Sequence, residues 1–139
     1  MIFEIIADLG YFILLINTVL FTKGFSVNGK AFRIFTAYLI VMFLIQITVS
    51  TLQYFSIDNL FLSHFYFTLQ FVLLSIFYLN LSFNKLQSKI VKIGFVICLS
   101  ALTVQYTIDS SLLLQFNLFE IFITSFLLII YTMDIYFQL

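Results

Sequence analysis

Two long gaps between charges constrain this chain more than any motif in it. Residues 34–57 and 59–84 hold no Asp, Glu, Lys or Arg. Each gap exceeds the roughly 20 apolar residues that carry a helix across a ~30 Å hydrocarbon core. Of the 139 residues, 63% are hydrophobic and 9% charged, against about 45–50% and about 25% in a soluble domain. Polar surface is too scarce to cover a water-soluble core, so a membrane is the expected solvent. Sustained apolar runs such as Phe35 to Ile45 lack the alternation of a membrane β-barrel, and an open sheet leaves its edge unsatisfied in lipid. The fold class expected is an all-α membrane protein, a single bundle spanning 1–139.

Five transmembrane helices fit, at about 3–22, 34–54, 60–82, 90–107 and 112–134. Short connections then make sequential neighbours antiparallel. The first segment carries Glu4 and Asp8 in place of a basic start, with no small-residue cleavage site after Leu20. It reads as a retained helix and not as a signal peptide.

All six basic residues fall in two places. Lys23, Lys30 and Arg33 follow the first helix, and Lys85, Lys89 and Lys92 follow the third. The other two connections carry only Asp58 and Asp109. Positive residues collect on the cytoplasmic side of a membrane protein, which puts the N-terminus outside and the C-terminus in the cytoplasm. The expected location is the cell inner (cytoplasmic) membrane, multi-pass. The formal net charge of zero gives no footprint for nucleic acid.

Few motifs survive scrutiny. Gly24 to Ala31 follows the phosphate-cradling pattern G-x-x-x-x-G-K-[ST] except at its last position, where Ala31 has no hydroxyl for magnesium. A basic turn with two flexible Gly residues is the expectation there. Asn80-Leu81-Ser82 has the form of a glycosylation acceptor but falls at the cytoplasmic end of helix three. No H-E-x-x-H, C-x-x-C or G-x-S-x-G string is present, which weighs against an enzyme; no catalytic residue, cofactor or metal is assigned. Zero Pro and zero Trp beside 20 Phe look partly like the drift of an AT-rich genome. Tyr11, Tyr54, Tyr66, Tyr106 and Tyr136 read as interfacial anchors, and the lone Cys98 as an inert small residue.

Polar residues at membrane depth are the remaining signal, because lipid offers them no hydrogen bonds. At 100° per residue, Gln46, Ser50 and Gln53 form one stripe on helix two. His64, Thr68, Phe71, Ser75 and Tyr78 share a face of helix three; Asn117, Glu120, Thr124, Tyr131 and Asp134 share one of helix five. On helix four, Gly94, Cys98 and Ala101, with Gln105 beyond them, form a small-residue packing face. With helix five starting near Leu112, Glu120 lies roughly 12 Å below its outer end at 1.5 Å per residue. His64 and Glu120, with Gln53 and Asn117 as neighbours, are therefore expected to line an outward-opening pocket for a cation, a proton or a polar head group. Against this stands the plainer reading of His64 and the amides as interhelical hydrogen-bonding groups.

Asn59-Leu60-Phe61-Leu62-Ser63-His64-Phe65-Tyr66-Phe67 followed by Gln70-Phe71, with the earlier Lys30-Ala31-Phe32-Arg33-Ile34-Phe35, resembles a type of uncharacterised integral membrane protein found in flavobacteria and related Bacteroidota. The resemblance covers most of the chain, implies a multi-helix membrane fold, and carries no activity and no functional residues. Proteins of this type often continue through further helices, and Leu139 follows Asp134 closely with no basic anchor behind it. A shortened form of a longer membrane protein is thus the expectation.

The function expected first is a non-enzymatic sensor, accessory or assembly module. A small oligomeric carrier or channel using the polar pocket is the alternative, and an intramembrane lipid-modifying enzyme with His64 and Glu120 as acid and base is a third. Expected partners are membrane lipids and either a second copy of the chain or another membrane protein.

Overall fold

The computed structural model describes residues 1–82 and 84–138; Leu139, on which the shortened-chain expectation turns, lies outside them. Five helices follow one another: α1 (Ile2–Lys23), α2 (Lys30–Tyr54), α3 (Phe61–Leu81), α4 (Lys85–Ile108) and α5 (Leu118–Gln138), with a 3₁₀ turn at Ser110–Leu114 between α4 and α5. Among the described residues there is no strand. All five helices are long and apolar enough to cross a membrane.

Charge spacing located the helices but misplaced three of their starts: α2 was expected from 34 and opens at Lys30, because its basic residues were counted as connection, and for α4 and α5 local capping explains the shift. Helix four was expected from 90 because Lys85 and Lys89 were assigned to a connection. It starts at Lys85, where the Asn84 side chain accepts from the Gln87 backbone N–H at 2.9 Å. An Asn N-cap satisfies one of the four orphan N–H groups of a helix start. Helix five was expected from 112 and begins at Leu118. The stretch before it closes into a 3₁₀ turn capped by Asp109, and Gln115 is extended. Asn117 then caps α5, its Oδ1 facing the Glu120 backbone N–H at 3.4 Å. The pattern Asn117-x-x-Glu120 is a variant of the capping box, legible in the sequence but masked by the apolar run preceding it. At the other end of α2, Ile57 N–H bonds to Leu52 C=O at 2.9 Å and Ser56 N–H to Gln53 C=O at 3.0 Å. This is a Schellman close, with Ser56 in the left-handed region at φ 56°.

The helices pack unequally. α1 touches only α2; α2 touches α1 and α3; α3, α4 and α5 all touch one another. Thr18 is the one buried residue of α1. A ring ladder joins the first three helices at one end: Phe21 stacks on Phe32 at 4.9 Å between centroids, and Phe35 meets Phe21 at 5.2 Å and Phe77 at 5.4 Å. The core proper lies among α3, α4 and α5, where Phe71, Val91, Cys98, Leu102 and Tyr131 form one buried cluster.

Gly94 makes that cluster possible. A Cβ built there runs into the Tyr131 hydroxyl, which donates to the Val91 carbonyl at 3.2 Å. The small-residue face of α4 therefore admits a tyrosine from α5 against its backbone. Cys98 is fully buried on the same face and Ala101 only half-buried, with Leu102 taking the buried position beside it.

The glycine-bracketed turn between α1 and α2 is closed by its own contacts. Arg33 Nε donates to Phe25 C=O at 3.0 Å and Arg33 Nη2 to Ser26 C=O at 3.3 Å. Neither Gly24 nor Gly29 adopts positive φ. Gly24 is needed for space, since a Cβ would press on Asn28 and the Phe32 ring.

Candidate functional site

Three helix ends meet where α3 begins, α4 finishes and α5 begins. His64 lies in the first turns of α3, Tyr106 near the end of α4 and Glu120 in the first turn of α5. Their side chains converge. Glu120 Oε2 is 2.6 Å from His64 Nδ1 and accepts the Tyr106 hydroxyl at 2.7 Å, while Oε1 accepts the Thr68 hydroxyl at 2.8 Å. Tyr106 Oη also lies 2.8 Å from His64 Nδ1. Asn117 Nδ2 donates to Gln105 Oε1 at 2.8 Å and to Tyr106 Oη at 3.1 Å, which orients the tyrosine hydrogen toward the carboxylate. Glu120 is 1% exposed, Asn117 5% and His64 7%.

The local folding of α5 makes this arrangement. The Asn117 cap sets the helix start, so Glu120 falls at its third position, close to the positive end of the helix dipole. At 1.5 Å per residue it lies about 3 Å, and not roughly 12 Å, from that end. The expected depth of Glu120 along α5 is thereby corrected. Its burial comes from neighbours on α3 and α4 instead. Thr124 closes the next turn, donating to the Glu120 carbonyl at 2.7 Å.

Of the residues expected to share a pocket, His64, Asn117 and Glu120 are together and Gln53 is not. Gln53 lies on α2, which meets α3 but not α5. It lines a separate cleft of about 280 Å3 with Gln46, Asn59 and Ser63. Thr68 shares the His64 face of α3 and Gln105 the small-residue face of α4, but their spacing does not show that they reach the Glu120 network, and Tyr106, expected as an interfacial anchor, donates to the Glu120 carboxylate. A helical wheel assigns each residue to a face of its own helix, and which faces then meet depends on packing.

Beside the network opens an apolar cleft of about 320 Å3 lined by Phe61, His64, Phe65, Thr68, Tyr106 and Leu113. Glu120 is not on its wall. His64 is, and its Nε2 is buried with no hydrogen-bond partner among the described residues.

No protein family, curated protein or solved structure matches the chain.

Proposed function

We propose that this chain is a non-enzymatic membrane module, a sensor, accessory or assembly subunit of the bacterial inner membrane. The observation that carries the reading is the state of Glu120. Its carboxylate is 1% exposed and already meets His64, Tyr106 and Thr68. A carrier needs its charged group to exchange partners with a cargo, and a general acid needs reach to a substrate atom. Here the three side chains use that capacity to hold the start of α5 against α3 and α4. The apolar surface of α1, exposed along nearly its whole length, suits a protein whose work is contact with lipid or with a membrane partner.

Reconstitution into liposomes tests the reading. Protein-containing vesicles should show no proton or cation flux above protein-free controls. A flux that Glu120→Gln abolishes in correctly folded protein overturns the module and favours the carrier.

The proposed orientation has the N-terminus outside. α2 and α4 both open on lysine, with no acidic residue in either first turn. Lysine opposes the helix dipole there, and an anionic cytoplasmic leaflet compensates it. Alkaline phosphatase fused after Lys89 should be inactive and after Asp109 active; the reverse pattern overturns the orientation.

A further inference from the structure

From the lysines that open α4 and the cleft they lead into, we infer that the protein binds one anionic glycerophospholipid, its phosphate on Lys89 and Lys92 and an acyl chain between α3 and α4. The inference rests on the membrane reading above, not on the orientation, and gives the proposed module a ligand.

At 100° per residue, Lys85, Lys89 and Lys92 fall within about 60° of one another, and all three are exposed. Their placement is unfavourable in three ways. Like charges three and four residues apart on a helix repel. Lys85 stands at the positive end of the helix dipole. Counted back from Ile108, a ~30 Å hydrocarbon core takes up about 20 residues of α4, which puts Lys89 at its edge and Lys92 about 5 Å inside. Among the described residues no acidic group offsets this: the ion pairs are Met1 with Glu4 and His64 with Glu120, and Asp134, in the last turns of α5, pairs with none of the lysines. One anion from outside the chain relieves all three effects.

The shape beside the lysines says what carries that anion. Lys92 forms part of the wall of a cleft of about 350 Å3, with Ser75, Ile76 and Leu79 of α3 and Phe95 and Val96 of α4. Ser75 is fully buried, so the wall beyond the lysine is essentially hydrocarbon. Ile76 and Val96 are 38% and 61% exposed, and the cleft opens toward the surrounding lipid. A cation at the head of an apolar cleft, at the edge of the hydrocarbon, matches a molecule whose phosphate and chains meet at that level. A zwitterionic head group brings its own cation toward the lysine stripe and is disfavoured there.

Native mass spectrometry of the full chain in mild detergent, with equimolar phosphatidylglycerol and phosphatidylcholine of identical chains, counts the lipid that stays bound. One phosphatidylglycerol per chain should be retained in preference to phosphatidylcholine. Lys92→Gln should cut that preference about fivefold, the usual share of one lysine in binding an anionic lipid. Lys30→Gln, at the start of α2, which does not touch α4, should leave it unchanged. Val96→Trp and, from the other wall, Ile76→Phe fill the cleft without removing charge. Whichever of the two keeps the native unfolding temperature should release the lipid.

Equal retention of the two lipids overturns the inference. So does an equal loss in Lys30→Gln and Lys92→Gln, the mark of a diffuse field, or phosphatidylglycerol still held with the cleft filled. Release by inorganic phosphate at constant ionic strength reduces the site to an anion site and overturns the lipid assignment. Recovery of the chain from lysate without detergent would defeat the membrane reading before any lipid is added, whereas flux in liposomes would overturn the module and leave this site standing.

Discussion

Glu120→Ala is expected to be the most damaging single substitution in the chain, and its size reports the charge state of the network. Removal of the carboxylate strips His64, Tyr106 and Thr68 of their shared acceptor at once. Three interhelical hydrogen bonds of the ordinary membrane kind, at about 0.6 kcal/mol each, sum to about 2 kcal/mol. If His64 is an imidazolium, the alanine variant strands a buried charge, and breaking a buried ion pair costs about 3–5 kcal/mol. Thermal unfolding in mild detergent distinguishes the two, with Glu120→Gln as the control. An amide keeps one acceptor oxygen for Thr68 or Tyr106 and should lose about 1–2 kcal/mol. Unfolding of the alanine variant at the native temperature would remove the network from any account of this fold.

Gly94→Ala is the second large effect, and it comes from one methyl group. The new Cβ collides with the Tyr131 hydroxyl and crowds the ring carbons behind it. Tyr131 is 1% exposed and packs among Phe71 and Tyr78, with ring centroids 6.3 and 6.0 Å away. It cannot step aside without moving α5. Overpacking of this kind costs about 1–3 kcal/mol. The alanine would otherwise favour the helix by up to about 1 kcal/mol over glycine, so the sign of the result is itself informative. In a Tyr131→Phe background the collision with oxygen disappears, and the cost of Gly94→Ala should fall by more than half. A double-mutant cycle on unfolding free energy measures that coupling. Additive effects would show that the two residues do not meet.

Much of this architecture could be read from where charges fall. Five apolar spans of membrane length follow from the gaps in the sequence, because a hydrocarbon solvent permits little else. Helix faces were legible too, since angular position along a helix depends only on spacing. Asn117, Glu120, Thr124 and Tyr131 share one face, and all four are buried.

Element starts were harder, and for a local reason. Lys85 and Lys89 looked like loop because charge was equated with the end of a helix. In fact a helix extends past the hydrocarbon wherever a cap is ready to start it, as Asn84 is. Asn117 did the same for α5 and moved Glu120 from mid-helix to first turn. The capping residues were visible in the sequence, but the apolar stretch 112–116 resembled the helix it precedes.

What the sequence determined by itself, then, is the apolar solvent, the number of spans and the inward faces of α3 and α5; on α2 the polar stripe of Gln46, Ser50 and Gln53 is half-buried to exposed, and Thr36, Leu39 and Met42 are buried instead. Those depend on composition and on a fixed 3.6-residue period. Tertiary structure alone decided that α3, α4 and α5 close into one bundle while α1 stays outside it, and that Gln53 is separated from Glu120 while Tyr106 and Thr68 reach it. The physical reason is that hydrophobicity cannot rank one helix pairing above another in lipid. Pairing rests on close packing, such as Tyr131 against Gly94, and on a few directional hydrogen bonds, such as those converging on Glu120.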